Sequence, residues 1–337
     1  MNPRQGREHP PSTRRFPSPV GWAFLSMAGF LAVAMSGIVL APRVAPSESL
    51  TGPLPAVSEA TAELVATRLP LEVNAQVDRW IRRFVGADRE VFEGYLVREG
   101  LYGGLIRERL RSRKMPEELI YLAMIESGFS PTATSSVNAA GVWQFMGSTA
   151  LHYGLAVDYW VDERRDPIRA TDAALDYLQE LHADFGSWYL AAAAYNAGPG
   201  RVARAIRRHG AGNLEDDALY WEISDHLPVE TREYVPKLLA ATLLARQADQ
   251  FGFEVEKSLP YLFDQVLVPG GTHLLDVAVA LDVPHSLIRE LNPHLVRGMT
   301  PPNRAYMVRV PQGDSYRLVA ELDGVLDGGR RERIQAN

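Results

Sequence analysis

An apolar helix that ends in a single carboxylate is the feature that most constrains this chain. Residues 119–125 place apolar side chains on every face of a helix, and a helix of that kind is buried. Glu126 follows directly, and Gly128 suits the position just past a helix C-terminus. Because burial and the negative end of the helix dipole both disfavour a charged carboxylate, we expect a raised pKa for Glu126. A carboxyl group that stays protonated near neutral pH can serve as a general acid.

The composition excludes several kinds of site. The chain has 337 residues, enough for two domains beside non-globular ends. It has no cysteine, so we expect no disulfide, no thiolate metal site, no cysteine nucleophile and no lipid anchor on an N-terminal cysteine. The 8 histidines are scattered without ligand spacing, and we expect neither a metal nor a cofactor. The net charge of −6 gives no indication of nucleic-acid binding.

The N-terminal region predicts a membrane anchor. Residues 20–41 are uncharged and long enough to span the roughly 30 Å hydrocarbon core of a bilayer. Residues 1–19 form a basic tail, which favours the cytoplasmic side and leaves the rest of the chain exported. A cleaved signal peptide is the alternative, although Pro42 disfavours cleavage after Ala41.

Composition and periodicity divide the rest of the chain. Residues 42–70 are rich in proline, serine, threonine and alanine, which is typical of a linker. Residues 71–257 carry apolar side chains at helical spacing with few alternating patterns, so we expect a compact all-helical domain. Residues 314–337 include a polar run and are expected to form a disordered tail.

Residues 258–313 show a different pattern, which predicts a small α+β module. The expected elements are a strand at 264–268, a turn at 269–272, helices at 274–281 and 285–291, and a closing strand at 306–311. The predicted fold class of the whole chain is therefore mainly α, with this small module at its C-terminal end and a transmembrane helix near its N-terminus.

Several short motifs lie in order along the helical region. They are Pro116-Glu117-Glu118-Leu119, Glu126-Ser127-Gly128-Phe129, Ala133-Thr134-Ser135, Ala140-Gly141-Val142-Trp143-Gln144-Phe145-Met146 and Ala194-Tyr195-Asn196-Ala197-Gly198. In order and spacing they resemble the soluble lytic transglycosylase domain, which has a lysozyme-like fold. Residues 162–167 and 227–236 resemble the membrane-bound lytic murein transglycosylase D group. Residues 268–272 and 291–293 resemble a LysM domain, with Gly-Gly-Thr in place of the expected Gly-Asp-Thr.

The resemblance implies a peptidoglycan lytic transglycosylase with one catalytic acid/base, Glu126. Such an enzyme cleaves the MurNAc-β-1,4-GlcNAc bond without water and leaves 1,6-anhydroMurNAc ends. The resemblance also implies that the glycan groove is lined by Ser135, Gln144, Met146, Tyr195 and Asn196. Ser127 is a further substrate-binding candidate.

The local sequence leaves structural roles open for these residues. Ser127 could end its helix, Ser135 could cap a turn, and Met146 could fill the core. Gln144 lies in an apolar run and needs hydrogen-bond partners, which a sugar acetamido group could supply. Asn196 and the glycine after it suit a helix end. Four alanines before Tyr195 would let that helix pack closely on the helix of Glu126 and bring the phenol to the carboxyl group or to the substrate.

Other readings of the same residues remain open. Residues 162–166 could supply a second carboxylate, but their own arginines favour a scaffold or rim role. A hydrolase similar to goose-type lysozyme is one alternative function, and a non-catalytic peptidoglycan-binding envelope protein is another. The C-terminal module could bind glycan or support the helical domain.

The resemblance and the predicted anchor together imply a location. We expect a single-pass protein of the bacterial inner membrane, with its catalytic domain in the periplasm. The expected partners are peptidoglycan glycan strands and the membrane itself, with cell-wall synthesis or division proteins as further candidates.

Overall fold

The computed structural model describes residues 69–214 and 216–321. The predicted basic tail at 1–19, the transmembrane segment at 20–41, nearly all of the 42–70 linker and most of the 314–337 tail lie outside the described residues. Among the residues that are described, no helix is both long enough and apolar enough to cross a bilayer.

The larger unit is helical, as the spacing predicts. Its α-helices are α1 (Ala75–Val85), α2 (Arg89–Ser112), α3 (Ile120–Ser127), α4 (Gly147–His152), α5 (Pro167–Phe185), α6 (Trp188–Ala197), α7 (Pro199–His209), α8 (Ala218–Ser224) and α9 (Val229–Arg246). Short 3₁₀ turns are present at Glu117–Leu119, Glu163–Arg165 and Ala248–Phe251.

Side-chain caps and prolines define where these helices begin. The side-chain oxygen Oδ1 of Asn74 accepts the backbone N–H groups of Gln76 and Val77, which begins α1. The Asp166 carboxylate accepts the N–H groups of Ile168 and Arg169 and begins α5. The Ser187 side chain accepts the N–H of Leu190 and begins α6. Proline is the first residue of both α5 and α7, where its missing N–H costs nothing.

Helix α9 lies at the centre of the helical unit. It packs on α1, α3 and α6, and its residues 238–241 are fully buried. The alanines of α6, residues 191–194, are fully buried as well. We expected α6 to pack closely on α3, but α3 packs chiefly on α9 and α2, whereas α6 packs on α5, α7 and α9. The small alanine side chains therefore bring α6 close to other helices, and α9 is the helix that faces α3.

The C-terminal module has the predicted order of elements. Strand β1 (Phe263–Val268) pairs antiparallel with β2 (Tyr306–Pro311), and Val266 lies opposite Val308. Between them lie α10 (Leu274–Leu281) and α11 (His285–Leu291), whose bounds match the prediction. The module has its own cluster of buried apolar residues, to which Val161 of the helical unit also contributes.

The module is docked on residues 159–166 of the helical unit. Asp162 N donates to His294 O over 2.9 Å, and Val296 N donates to Trp160 O over 3.2 Å. A buried ion pair joins Asp166 Oδ2 to Arg309 Nη2 of β2 at 2.6 Å. The two units are therefore joined by backbone pairing and a buried charge pair.

Candidate active site

Glu126 occupies the last turn of α3, between buried neighbours. Ile125 is 6% exposed and Phe129 is fully buried, whereas Glu126 keeps partial access to solvent. Gly128 ends the helix in a left-handed conformation with φ of 59°. A β-carbon on Gly128 would lie 2.2 Å from the ring of Tyr95, so any larger residue would displace the turn that holds Glu126.

Burial raises the pKa of Glu126 to about 7. A hydrogen bond from Tyr234 and the charge of Lys237 lower that pKa but do not outweigh burial, and the charge of Glu230 raises it further. The raised pKa expected from the sequence is confirmed. Near neutral pH this carboxyl group is protonated in a large share of molecules and can deliver a proton.

The hydrogen-bond partner of Glu126 comes from α9. Tyr234 Oη donates to Glu126 Oε1 over 2.5 Å. Tyr234 is 6% exposed, and burial together with Glu126 holds its pKa well above the ordinary value. The phenol therefore keeps its proton and acts as the donor, which orients the carboxyl group and stabilises its ionised form.

Lys237 lies one turn further along α9 and contacts the end of α3. Its Nζ donates to Ile125 O over 3.0 Å, one of the terminal carbonyl groups that a helix leaves without an intrahelical partner. Burial lowers the pKa of Lys237, although the charge of Glu126 opposes that shift. The side chain thus caps α3 and supplies positive charge beside the acid.

A proline inside α9 is accommodated by a buried tyrosine. Pro236 has no N–H to donate to the carbonyl of Arg232, four residues earlier. The hydroxyl of Tyr220 donates to that carbonyl over 2.9 Å. The hydroxyl of Tyr220 therefore replaces the hydrogen bond that Pro236 cannot make and keeps the carbonyl of Arg232 satisfied.

Tyr195 and Asn196 are held at the end of α6. The hydroxyl of Tyr195 donates to Trp143 O over 2.8 Å, so the phenol that bonds Glu126 is that of Tyr234 and not that of Tyr195. Burial raises the pKa of Tyr195 well above its ordinary value, and the charge of Glu126 adds to that shift. Asn196 is bonded to the first turn of α9, where Thr231 Oγ1 donates to its Oδ1 over 2.8 Å.

Ser127 and Ser135 use their hydroxyl groups within the protein. Ser127 Oγ donates to Val142 O over 2.8 Å, which ties α3 to the loop at 130–146. Ser135 Oγ accepts the N–H of Ala139 over 3.0 Å and keeps its own hydrogen for another acceptor. Both side chains are partly exposed.

Gln144 and Met146 lie in the same loop. Gln144 has a left-handed φ of 50°, which is uncommon for a residue with a side chain and is concentrated at functional sites. Its Nε2 donates to Gly141 O over 2.8 Å. Met146 directly precedes α4 and is partly exposed, whereas Trp143 is fully buried.

The charged segment at 162–166 bonds to the backbone of this loop. Arg164 pairs with Asp162 at 2.8 Å and donates to Asn138 O over 2.8 Å. Arg165 donates to Thr132 O over 2.8 Å. A β-carbon on Gly141 would lie 1.7 Å from the carbonyl oxygen of Arg164, so only glycine fits there. These contacts agree with the scaffold role expected for the segment.

Sequence reasoning missed three polar residues of α9. Glu230, Tyr234 and Lys237 have i, i+4, i+7 spacing and share one helix face. That spacing was the available signal, but it is weak because Thr231, Arg232 and Glu233 lie in the same half of the helix. Over the described residues, no group of three His, Asp or Glu side chains is arranged to hold a metal ion.

Comparisons with known proteins match both units. Residues 105–217 match the family model of the transglycosylase SLT domain, and residues 262–325 match that of the LysM-like domain of lytic transglycosylase MltD. The chain is 43% identical over 148 residues to the membrane-bound lytic murein transglycosylase D of Escherichia coli K12, which covers 44% of this chain and 32% of that protein. The predicted resemblance is confirmed.

Relatives with lower sequence identity are named as soluble lytic transglycosylases. The soluble lytic murein transglycosylase of Escherichia coli K12 is 31% identical over 145 residues, covering 41% of this chain and 22% of that protein. The crystal structure of the 70 kDa soluble lytic transglycosylase from Escherichia coli aligns with a TM-score of 0.37 at 27% identity, over 45% of this chain and 25% of the other. The matched region spans about a third or less of each relative.

Proposed function

We propose that this chain is a peptidoglycan lytic transglycosylase in which Glu126 acts first as the acid and then as the base. The observation that carries this assignment is one partly accessible carboxyl group at the end of a buried helix, bonded by the Tyr234 hydroxyl at 2.5 Å, where burial raises its pKa to about 7. The match of residues 105–217 to the transglycosylase model supports the same reaction class. Residues 71–257 would form the catalytic domain and residues 258–313 an accessory module.

The reaction begins with proton transfer from Glu126 to the oxygen between N-acetylmuramic acid and N-acetylglucosamine. The bond between that oxygen and C1 of the muramic sugar breaks, and the N-acetylglucosamine end leaves as an alcohol. The 2-acetamido carbonyl of the muramic sugar stabilises the positive charge that develops on C1. The ionised Glu126 is stabilised by the hydrogen bond from Tyr234 and by the nearby charge of Lys237. This stabilisation is greatest after the proton has left, when the carboxylate carries its charge.

Glu126 next removes the proton from the C6 hydroxyl group of the same sugar. The C6 oxygen attacks C1 and closes a 1,6-anhydro ring, so no water is consumed. An attacking group held within the same molecule can have an effective molarity on the order of 10⁵ M, which lets it compete with water. Ser127, Ser135, Gln144, Met146, Tyr195 and Asn196 line the glycan groove in this proposal.

The mass of the products tests the proposal. Soluble glycan strands digested by the full-length protein should yield ends that are one water lighter than reducing ends. Glu126→Gln serves as the control, because an amide keeps the shape and the contact to Tyr234 but cannot donate the proton. Reducing ends of ordinary mass would instead indicate a goose-type hydrolase, and glycan binding without any cleavage would indicate a non-catalytic envelope protein.

The proposal extends to the location of the protein. Residues 20–41 would anchor it in the bacterial inner membrane, and the rest would face the periplasm, in reach of peptidoglycan. A relative of this chain is named as membrane-bound, which agrees with an envelope location. Resistance of the full-length protein to extraction from inner-membrane vesicles by alkaline carbonate supports the anchor, and its release would contradict it.

A further inference from the structure

The segment at 159–166 lies between the C-terminal module and the loop at 130–146. Val161 pairs antiparallel with Leu295 of the module through an isolated backbone bridge. The side chain of Val161 is fully buried and belongs to the apolar cluster of the module, not to that of the helical unit. The module therefore holds this segment both by backbone pairing and by burial of one of its side chains.

Asp162 connects the two sides of the segment. Its backbone N–H donates to His294 O of the module over 2.9 Å. Its buried carboxylate accepts Arg164 Nε at 2.8 Å and Arg164 Nη2 at 2.9 Å. Two parallel hydrogen bonds of this kind fix the plane of the guanidinium group. The position of Arg164 is therefore set by a residue that the module holds.

Arg164 carries the connection into the loop. Its third nitrogen, Nη1, donates to Asn138 O over 2.8 Å and to Phe145 O over 3.2 Å. One donor group thus joins both ends of the stretch from Asn138 to Phe145. Asn138 and Gln144 have left-handed φ values of 63° and 50°, and such conformations persist only where surrounding contacts enforce them. The guanidinium group supplies two of these contacts.

The loop that Arg164 joins carries candidate groove residues. Ser135 and Gln144 both lie in it, and the N–H of Ser135 donates to Ala139 O over 2.9 Å, next to Asn138. Glu126 lies on α3 and is bonded by α9 instead. A shift of the loop should therefore alter glycan binding more than it alters proton transfer.

We propose that the C-terminal module is a structural part of the glycan groove and that Arg164 is the positioning residue through which it acts. The inference rests on the proposed function and deepens it, because it gives the module a role in shaping the groove that requires no glycan binding by the module itself. Two regions are coupled only if a change in one alters the other. Weaker docking of the module should therefore be measurable at the loop.

Hydrogen exchange of the full-length protein tests this connection without any substrate. For Val161→Ala we expect the amides of Ser135, Ala140 and Phe145, which bond within the loop, to exchange about threefold faster or more. Val277→Ala is the matched control, because Val277 is buried in the same cluster but lies on α10, inside the module. Equal acceleration by the two variants would overturn the proposal, since it would reflect a general loss of stability in the module.

Arg297→Gln is a milder change at the same junction. Arg297 is exposed, and its Nε donates to Tyr159 O over 3.2 Å, so the variant should fold like the wild-type protein. We expect the same loop amides to exchange about twofold faster. Unchanged exchange in this variant would contradict the proposal even where Val161→Ala fails to fold.

Kinetics on soluble glycan strands test the role of Arg164. For Arg164→Gln we expect KM to rise about tenfold, because the loop loses a charged donor, and kcat per folded molecule to stay within about threefold. The alkaline limb of the rate–pH profile should stay in place, since the hydrogen bonds of Glu126 and Arg164 involve different residues. A purely structural role would lower the folded fraction and leave KM unchanged, and that result or a shifted limb would overturn the assignment.

A double variant tests whether the module and Arg164 act along one path. Val161→Ala alone should raise KM about threefold, and adding it to Arg164→Gln should raise KM no further. Multiplied effects would mean that the module acts independently of Arg164, and a higher KM without faster exchange in the loop would mean that the module binds glycan directly. Either result would overturn the proposal. If the wild-type protein forms no anhydro ends, the proposed function fails, whereas the exchange experiment still decides whether the module holds the loop.

Discussion

Two sheltered carboxyl groups in this protein have opposite pKa shifts. Glu126 ends α3 and has a pKa raised to about 7, whereas Asp166 begins α5 and has a pKa held below its ordinary value. Burial raises the pKa in both cases. The difference lies in the partners, because Glu126 receives a phenol hydroxyl while Asp166 faces the guanidinium of Arg309 at 2.6 Å.

The helix ends add to the same contrast. Asp166 accepts the N–H groups of Ile168 and Arg169 at the positive end of α5, which favours the charged carboxylate. Glu126 lies at the negative end of α3, where charge is disfavoured. One acid is therefore kept ready to give up a proton, and the other is kept ionised to join the helical unit to the C-terminal module.

The largest expected effect is on catalysis. Glu126→Gln and Asp166→Asn make the same chemical change, carboxyl to amide, at the two sites. We expect the first to reduce the rate of anhydro-end formation by a factor on the order of 10³ or more, because general acid and general base catalysis are both lost. Asp166→Asn should keep the rate per folded molecule within about threefold, since Asp166 transfers no proton.

Initial rates on soluble glycan strands, corrected for the folded fraction measured by circular dichroism, check this prediction. A comparable loss in both variants would remove the functional distinction between the two acids.

The next largest effect is on stability, and here substitution of Asp166 costs more than substitution of Glu126. Asp166→Asn should lower the free energy of unfolding by about 3–5 kcal/mol, because it leaves Arg309 buried without a counter-charge. Asparagine can still cap α5, so the lost stability reports the ion pair with Arg309 and not the helix cap. Urea unfolding of the variant measures the change.

The double variant Asp166→Asn/Arg309→Met supplies the control. It removes both charges, so it should recover much of the lost stability. If it were no more stable than the single variant, loss of the ion pair would not be the cause.

A smaller effect is the change in the free energy of unfolding with pH that the Glu126 carboxyl group causes. Because its folded pKa of about 7 exceeds the ordinary value of 4.5, the wild-type protein should lose stability as the pH rises between these values. Glu126→Gln removes that cost, and we expect it to stabilise the protein by about 1–3 kcal/mol at pH 8 and by little at pH 4. Urea unfolding at the two pH values checks the sign, and equal effects at both would contradict the raised pKa.

The smallest effect concerns the hydroxyl that bonds Glu126. Tyr234→Phe removes a hydrogen bond that lowers the pKa of Glu126, so the alkaline limb of the rate–pH profile should move to higher pH. The maximal rate should fall by about tenfold, because the ionised carboxylate loses a donor. Tyr195→Phe is the comparison, since its hydroxyl bonds Trp143 O and should leave that limb in place.

Much of the architecture could be predicted from the chain itself. The apolar run before Glu126 predicts a buried helix, and α3 is one. Local alternation and turn residues predict the strands and helices of the C-terminal module, where α10 and α11 have the predicted bounds. These predictions succeed because periodicity and turn chemistry are local properties of the sequence.

Partners far apart in sequence could not be predicted in the same way. Tyr234 lies 108 residues from Glu126, and Arg309 lies 143 residues from Asp166. Nothing local distinguishes the phenol of Tyr195 from that of Tyr234 as the partner of the acid. The arrangement of α9 between α3 and α6 decides it, because that packing brings Tyr234 to Glu126 and leaves Tyr195 on Trp143.

The amino-acid sequence by itself determined that one acid ends a buried helix, where burial raises its pKa. It also determined the order of elements in the C-terminal module. Only the tertiary structure decided which side chains surround each acid. Glu126 is bonded by a neutral phenol with Lys237 nearby, whereas Asp166 is bonded directly by a guanidinium group. The physical reason is that the charge state of a buried group depends on atoms within a few ångströms of it, and distant parts of the chain supply those atoms.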